Sequence, residues 1–338
     1  MREEAVLITG ANGEIGHGLI DHLSGIGCTI VALDLNPLDP TLESSVNYSY
    51  QGDILDKELL KKVFSEHQFR TIYHLASILS TKAEHNPELA HRINVEGTLN
   101  LLQLAQAQSK EAGRSVKFIY PSSIAAYGLP NLNVKAQAGK VREDQFNIPT
   151  TMYGINKLYC ENLGRYYSRN YRQLTEDSNP QEAVDFRAIR FPGLISAQTM
   201  PTGGTSDYGP EMLHAAAKGE EYACFVRPDA VLPFMVMPDA VKSLIHLEAA
   251  DRSRLTQTVY NVTSFNPSAQ EIYDITVSAF PNAKITFAPD THRQGIVDSW
   301  PADTDDSAAR RDWDWKPDYD IKRSFKEYLI PSICERYK

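Results

Sequence analysis

The sequence predicts an α/β chain in which a doubly wound parallel sheet carries helices on both faces and is followed by a smaller lobe. Two observations lead to this prediction. Short apolar runs alternate with longer amphipathic runs through the first half of the chain, a pattern typical of right-handed βαβ units. A glycine-rich turn also joins the first apolar run directly to the first amphipathic run, as expected where a strand leads tightly into a helix.

The individual elements follow from hydrophobic periodicity. Strands are predicted at the short apolar runs, which cover residues 5–9, 29–33, 48–51, 71–75, 117–120 and 184–190. Helices are predicted between them, over residues 14–25, 56–66, 87–109 and 153–170. Asn86 is a candidate cap for the third helix, because Pro87 suits the first helical position.

The pattern becomes irregular after Arg190. Glycine and proline crowd residues 193–210 and predict a loop or lid. Ser268 and Glu271 have the spacing of a capping box, and a terminal helix is expected over about 320–336. We therefore expect a nucleotide-binding domain over 1–190 and a smaller substrate lobe over 191–338, with the chain re-entering the first domain around 232–262.

Composition excludes several classes of protein. The 338 residues carry a net charge of −9, which repels phosphate backbones, so no nucleic acid partner is expected. No run of about 18 apolar residues occurs, so no membrane span is predicted. The cysteines lack CxxC spacing and the histidines lack HxH or HExxH spacing, so no metal site is predicted. These features indicate a reducing, cytoplasmic setting, although a leader removed from a longer precursor would leave no trace here.

The most specific motif is the glycine-rich turn. One glycine permits the tight turn, another lets the backbone approach a pyrophosphate, and the third lets the helix pack on the strand. The helix N-terminus then presents its N–H groups to the phosphates. The motif predicts a Rossmann-type dinucleotide site formed by Gly10, Asn12, Gly13, Glu14, Ile15 and Gly16.

Acidic residues at the next strand ends select the cofactor. Asp34 ends the second strand, where its carboxylate would accept hydrogen bonds from the adenosine ribose and repel a 2′-phosphate, so NAD is predicted over NADP. Asp53 either reaches the adenine or caps the helix over 56–66, and both interpretations stay open. His74 ends the fourth strand, and a packed strand-end role is preferred there to catalysis.

Tyr153 and Lys157 lie four residues apart and therefore share one helical face. A nearby ammonium lowers the pKa of a tyrosine, which can then exchange a proton with an alcohol or ketone, and Lys157 can also hold the nicotinamide ribose. Ser123 follows the fifth strand and can stabilise charge on the reacting oxygen. Exposed helix pairs and turn serines are the alternatives. The order of the motifs along the chain favours catalysis.

Together these residues resemble the extended short-chain dehydrogenase/reductase family, which includes UDP-galactose 4-epimerase, over nearly the whole chain. A narrower resemblance, to the L-threonine 3-dehydrogenases of this family, lies in residues 121–128, 151–154, 190–196, 203–208 and 299–301 with 305–310. The last two blocks are the specific ones. Thr202 stands where that pattern has a glycine, and the segments 129–147 and 168–183 are longer than usual and expected to form surface loops.

The resemblance implies oxidation of the L-threonine β-hydroxyl to 2-amino-3-oxobutyrate by hydride transfer to NAD, without zinc. Tyr153 would act as general base, Ser123 would orient the hydroxyl, and the 201–210 segment would close over the substrate. The resemblance also implies cofactor contacts from Ile54, Leu75, Ala76, Asn94 and Ser122. Implied substrate contacts come from Ser80, Thr205 and Trp300.

Three alternative functions and one assembly state complete these expectations. A nucleotide-sugar 4-epimerase that retains NAD would use the same residues, but the threonine-type blocks favour the dehydrogenase. A sugar dehydratase is disfavoured because no acidic pair replaces Ser123, and an inactive NAD-binding sensor because Ser123, Tyr153 and Lys157 are intact. Apolar residues on helices 87–109 and 153–170 predict a homodimer.

Overall fold

The computed structural model of the chain describes residues 4–175, 182–197, 199–201 and 203–338. The strands are, in chain order, β1 (Glu4–Thr9), β2 (Thr29–Asp34), β3 (Tyr48–Gln51), β4 (Gln68–His74), β5 (Lys117–Ser123), β6 (Lys140–Val141), β7 (Asp185–Phe191), β8 (Gly193–Ile195), β9 (Glu221–Cys224), β10 (Phe234–Val236), β11 (Val259–Asn261), β12 (Lys284–Phe287) and β13 (Asp303–Thr304). Seven of them form one parallel sheet in the order β11-β7-β5-β4-β1-β2-β3.

The helices are, in chain order, α1 (Glu14–Gly25), α2 (Lys57–Glu66), α3 (Ser80–His85), α4 (Pro87–His91), α5 (Gly97–Ala112), α6 (Leu132–Ala138), α7 (Met152–Arg169), α8 (Tyr208–Lys218), α9 (Met237–Ala249), α10 (Ala269–Ala279), α11 (Thr291–Ser299), α12 (Ser307–Trp313), α13 (Ile321–Arg323) and α14 (Ile330–Arg336). A π-helical segment over Arg92–Glu96 joins α4 to α5, and another over Ser324–Leu329 joins α13 to α14. None of the described helices has the length and apolarity needed to cross a membrane.

The predicted α/β class is confirmed, and each of the six predicted strands exists. The largest differences at their ends are three residues each: β4 begins at Gln68 rather than at residue 71, and β5 continues to Ser123 rather than ending at residue 120. Periodicity did not reveal the short strands of the second half. One of them, β11, joins the main sheet beside β7, because its residues are buried and β7 offers an unpaired edge. The division into domains at residue 190 stays a proposal.

Two predicted helix caps have different outcomes. Ser268 and Glu271 form the predicted capping box at the start of α10. Pro87 takes the first position of α4, but the side chain of Asn86 caps nothing, so that prediction is wrong. The reason is that Asn86 also closes α3, where its backbone N–H donates to Lys82 O at 3.1 Å, and its backbone follows that helix end instead of the cap geometry.

Apolar side chains form three packed clusters. One, with Leu19, Ile20 and Leu244, lies between the sheet and the helices α1 and α9. A second, with Leu60 and Leu101, fills the opposite face under α2, α5 and α7. The third cluster belongs mainly to the second half of the chain and includes Trp300. Large apolar side chains contribute about 1.5–3 kcal/mol each on burial. Burial in these clusters therefore stabilises the packing of the second half of the chain against the sheet.

The order of the strands creates a crevice at that edge. The chain runs outward from β1 through β2 and β3, then returns to the other side of β1 to begin β4. Ligands of open parallel sheets bind at such a reversal point, beyond the carboxyl ends of the strands. The predicted cofactor and catalytic residues follow those carboxyl ends.

Candidate active site

A cavity of 540 Å³ lies over the carboxyl ends of β1, β4 and β5. Residues from both halves of the chain line it. Those that the sequence predicted are Gly10, Gly13, Glu14, Ile15, Gly16, Asp34, Asp53, Ile54, Leu75, Ala76, Ser80, Ser122, Ser123, Tyr153, Lys157 and Trp300. The predicted residues Asn12, Asn94 and Thr205 lie behind this lining.

The glycine-rich turn forms one end of the cavity. Gly10 has a φ of +70°, and a Cβ there would lie 2.7 Å from Ala76 N. A Cβ on Gly16 would lie 2.2 Å from Ala11 O. Only glycine lets β1, β4 and α1 come this close. The first turn of α1, which faces the cavity, therefore offers backbone N–H groups that can donate hydrogen bonds to an anion.

Asp34 lies beside the turn and is held in place by backbone donors. Asn12 N donates to Asp34 Oδ2 at 3.0 Å, and Asn36 N donates to Asp34 Oδ1 at the same distance. The side chain of Asn12 points away from the cavity, donating to Pro37 O and accepting from Asp39 N. Asn12 therefore ties the loop after β2 to the glycine turn, while Asp34 faces the cavity.

The N-terminus of α2 decides between the two interpretations of Asp53. Asp56 caps that helix, with its carboxylate accepting from Glu58 N and Leu59 N at 3.0 Å. The capping interpretation of Asp53 is therefore wrong. Asp53 accepts from Leu55 N at 2.9 Å and lines the cavity.

His74 and Asn94 are packed beneath the cavity floor. His74 contacts Thr9 Oγ1 at 2.8 Å and Thr98 Oγ1 at 2.9 Å, and burial followed by the charge of Lys157 lowers its pKa to about 3. Its preferred packed role agrees with these contacts. Asn94 accepts from Ile78 N at 2.7 Å and donates to Ile78 O at 3.0 Å, so it supports the cavity wall from behind.

The predicted catalytic residues meet where α7 packs on the end of β5. Thr151 caps α7 by accepting from Gly154 N at 3.1 Å. A Cβ on Gly154 would lie 2.0 Å from Ala125 O, so this glycine lets the helix approach the strand end. The packing places the side chains of Tyr153 and Ser123 together in the cavity lining, close enough for Ser123 to influence the pKa of Tyr153.

Lys157 has a different partner from the one that the sequence suggested. Its Nζ donates to Pro121 O at 2.7 Å and lies 5.4 Å from the centre of the Tyr153 ring. Desolvation raises the pKa of Tyr153 above its ordinary value, and the hydrogen bond to Ser123 lowers it only in part. Lys157 is not among the groups that shift the pKa of Tyr153 in this arrangement, and its predicted lowering of that pKa stays a prediction. Burial lowers the pKa of Lys157 itself to about 8.

The opposite wall combines two loops that are distant in sequence. Thr205 N and Thr205 Oγ1 each donate to Ser80 Oγ at 3.2 Å. Thr81 Oγ1 donates to Gly203 O, and Arg293 Nη2 donates to Gly204 O at 2.8 Å. Trp300 is buried and lines the cavity next to this wall. Thr202, which departs from the expected glycine, lies outside the described residues.

Several lining residues escaped the sequence analysis. Ser77, Ile78 and Leu79 lie three to five residues beyond the end of β4, so their place after a strand end was an available signal. Thr199 lies in the predicted loop over 193–210, but its contact was not foreseeable, since it donates to Glu14 Oε1, far away in the sequence. This contact closes the loop after β8 onto the first turn of α1.

The sequence predicts no metal site. Among residues 4–175, 182–197, 199–201 and 203–338, no group of three or more His, Cys, Asp or Glu side chains is arranged to hold a metal ion. The cysteines Cys28, Cys160, Cys224 and Cys334 are free thiols. The polar groups that face the cavity are instead hydroxyls, carboxylates, one ammonium and backbone amides.

A parallel sheet with a glycine turn at β1, an acid at the end of β2 and a Ser/Tyr/Lys set at β5 and α7 defines the extended short-chain dehydrogenase/reductase class. The family comparison agrees: residues 6–263 match the NAD dependent epimerase/dehydratase family. The chain belongs to this family.

Individual relatives share nearly the full length. Mitochondrial L-threonine 3-dehydrogenase of Bos taurus is 31% identical over 328 residues, covering 94% of this chain and 80% of the relative. The crystal structure of L-threonine dehydrogenase from Clostridium difficile has a TM-score of 0.86 at 31% identity, covering 100% of this chain and 99% of the other. A monomeric L-threonine 3-dehydrogenase from a metagenome database has a TM-score of 0.85 at 32% identity, covering 98% and 100%.

Proposed function

We propose that this protein is an NAD-dependent L-threonine 3-dehydrogenase, which oxidises the β-hydroxyl of L-threonine to give 2-amino-3-oxobutyrate. The observation that carries the proposal is that Ser123, Tyr153 and Lys157 line one cavity whose other end is the glycine turn with Asp34. The relatives named above supply the substrate class.

The cavity residues fit NAD. The glycine cradle leaves no room for a Cβ at Gly10 or Gly16, which suits close approach of a pyrophosphate. Asp34 presents a carboxylate suited to ribose hydroxyls, and the described residues of the cavity lining include no arginine to receive a 2′-phosphate. When bound, NAD would supply the hydride acceptor. We therefore propose NAD rather than NADP as the cofactor.

Tyr153 is the proposed general base. It would accept the proton of the substrate hydroxyl while Ser123 donates a hydrogen bond to the same oxygen, which stabilises the alkoxide character that develops there. Desolvation raises the pKa of Tyr153, so the phenolate that accepts the proton becomes more abundant as the pH rises, up to the pH at which Lys157 loses its charge. The positive charge of Lys157, held against Pro121 O, is the nearest cationic support for phenolate formation.

The amino acid end of the substrate would meet Ser80 and Trp300, with Thr205 placed behind Ser80. Ser80 and Trp300 line the cavity, and Thr205 keeps Ser80 oriented through the two hydrogen bonds described above. A hydroxyl pair suits the substrate carboxylate or ammonium, and an indole face suits a cation. The loop over 199–201 and 203–207 would exclude water, because it contacts both the glycine turn and α3.

The direct test is NADH formation by the purified protein with NAD and L-threonine, beside L-allo-threonine, L-serine and UDP-galactose. We expect NADH with L-threonine and much less with the other substrates. Conversion of UDP-galactose without net NADH would overturn the proposal in favour of the 4-epimerase. A Tyr153→Phe variant should lose threonine oxidation while retaining NADH binding, and undiminished turnover would contradict the catalytic assignment.

We also propose a homodimer. The outer faces of α4 and α7 leave large apolar side chains solvent-exposed, namely Leu89, Ile155, Tyr159 and Tyr166. A two-fold contact between these faces would cover them. The related enzyme described as monomeric makes the mass by light scattering at micromolar concentration informative, and a monomeric mass would contradict this proposal. A cytoplasmic location also remains a prediction, which cell fractionation tests.

A further inference from the structure

Three consecutive residues at the end of β5 bind three residues on successive turns of α7. The α7 residues stand at intervals of four, so they share one helical face. The pairs are Pro121 with Lys157, Ser122 with Glu161, and Ser123 with Tyr153. Two of these pairs contain the proposed catalytic residues. The remaining pair, in which Ser122 Oγ donates to Glu161 Oε1, has no part in the chemistry described so far.

Glu161 is held from the other side by Arg190 of β7. Arg190 Nε donates to Glu161 Oε1 at 2.8 Å, and Arg190 Nη2 donates to Glu161 Oε2 at 2.6 Å. The side chains of this bidentate pair are 2% and 1% exposed. Arg190 is also the direct register partner of Ser122 in the sheet. One carboxylate thus joins α7, β5 and β7 at the level of the catalytic residues.

A buried ion pair is an expensive way to fill this space. Desolvation of two charges offsets much of their attraction, and apolar side chains of similar volume often stabilise a core equally well. A carboxylate does here what an apolar side chain cannot: it accepts from Ser122 and Arg190 at once. It therefore sets how far α7 can slide along the end of β5.

We propose that Glu161, clamped by Arg190, is a positioning residue that holds Tyr153 and Lys157 of α7 in register with Ser123 of β5 for the hydride transfer. This inference rests on the proposed function for its reaction, but the geometry concerns the catalytic residues alone. Glu161 does not line the cavity and touches no reacting atom.

Electrostatics supplies a readout that simple packing would not affect. Burial lowers the pKa of Lys157, and Cys160 and then Glu161 oppose this effect. The other groups facing Lys157 are the ring of Tyr120 on β5, 4.6 Å away, the ring of Tyr153 on α7, 5.4 Å away, and His74 on β4. His74 is neutral near pH 7, and burial raises the pKa of the Cys160 thiol, so Glu161 is the carboxylate on α7 that supports the ammonium. Arg190 is the cation whose charge Glu161 balances.

The test is the pH dependence of kcat/KM for NAD in the wild type and in Glu161→Gln. Loss of the carboxylate removes support from the Lys157 ammonium and leaves Arg190 unbalanced. We expect the alkaline limb of the profile to move about one pH unit lower, and kcat to fall about tenfold as the register loosens. A profile that coincides with the wild-type profile would overturn the inference.

The chain contains a matched control. Asp185 and Arg187 form a second buried bidentate pair on β7, with Arg187 Nη2 donating to Asp185 Oδ2 at 2.6 Å. Asp185 pairs with Lys117 at the opposite end of β5, away from the cavity. Asp185→Asn should destabilise the fold to a similar extent and leave the pH profile in place. An equal displacement in Asp185→Asn would mean that any buried pair produces the effect, and would overturn the inference.

Two further measurements keep the test decisive. If Glu161→Gln does not fold, the double variant Glu161→Gln/Arg190→Met removes both charges of the pair. No unpaired charge then stays buried, so stability is recovered. The alkaline limb of its pH profile should still lie at lower pH than that of the wild type. If the wild type does not oxidise L-threonine, the proposed function fails on its own. The inference is then tested by the pH dependence of the NADH dissociation constant in the same variants, where the same displacement is expected.

Discussion

Ser80 Oγ accepts two hydrogen bonds from Thr205, one from its backbone N and one from its Oγ1, both at 3.2 Å. Ser80 begins α3 just beyond β4, and Thr205 belongs to the loop that precedes α8. The two residues join the Rossmann-type sheet to the second half of the chain at the cavity wall.

This relationship predicts a selective effect on substrate binding. Thr205→Val keeps the shape of the side chain but removes the hydroxyl, so Ser80 loses one of its two donors. We expect the KM for L-threonine to rise about tenfold, with kcat and the KM for NAD little changed. Thr205→Ser keeps the hydroxyl and should stay near the wild type in steady-state kinetics. An equal rise in both variants would show that packing, not the hydrogen bond, matters.

Asp34 should determine the choice of cofactor. Asp34→Asn removes the charge that repels a 2′-phosphate, and we expect the affinity for NAD to fall about tenfold while discrimination against NADP narrows. Dissociation constants for both cofactors test this. Asp39→Asn is the control, because it removes the same charge from the neighbouring loop, outside the cavity lining. A comparable loss in Asp39→Asn would point to net charge instead of a specific contact.

Two glycines of α1 should respond oppositely to alanine. A Cβ on Gly16 would meet Ala11 O at 2.2 Å, whereas a Cβ on Gly25 would meet nothing within 4 Å. We expect Gly16→Ala to reduce the free energy of unfolding by about 1–3 kcal/mol and to weaken NAD binding. Gly25→Ala should leave binding unchanged and raise stability by about 0.5 kcal/mol. Chemical denaturation and cofactor titration measure both, and wild-type NAD affinity in Gly16→Ala would refute the cradle.

The titration of Lys157 should limit activity at high pH. Its pKa is lowered to about 8 by burial, so its ammonium is present below that pH and is lost as the pH rises through it. We expect kcat/KM for NAD, which reports the free enzyme, to decline above pH 8. The decline should be absent from the low residual activity of Lys157→Met. An unchanged alkaline limb in that variant would assign the titration to another group.

The comparison with the sequence is clearest at α7. Tyr153 and Lys157 could be found because helical periodicity puts residues four apart on one face. The same periodicity extends to Glu161, but a glutamate on a helix is usually solvated, so nothing in the sequence marked it as buried. Its partner Arg190 lies on β7, where the sheet register sets it beside Ser122 of β5. Only the packing of α7 on these two strands brings Arg190 to Glu161.

Local chemistry therefore determined the strands, the glycine turn, the acid at the end of β2 and the Ser/Tyr/Lys set. These features depend on backbone conformation and spacing along one element, which the sequence expresses directly. Tertiary structure alone decided that Lys157 binds Pro121 O, that Asn12 and Asn94 act from behind the cavity, and that Thr205 binds Ser80. Those outcomes depend on contacts between residues far apart in the chain and on the desolvation that packing imposes, and neither is written in local sequence.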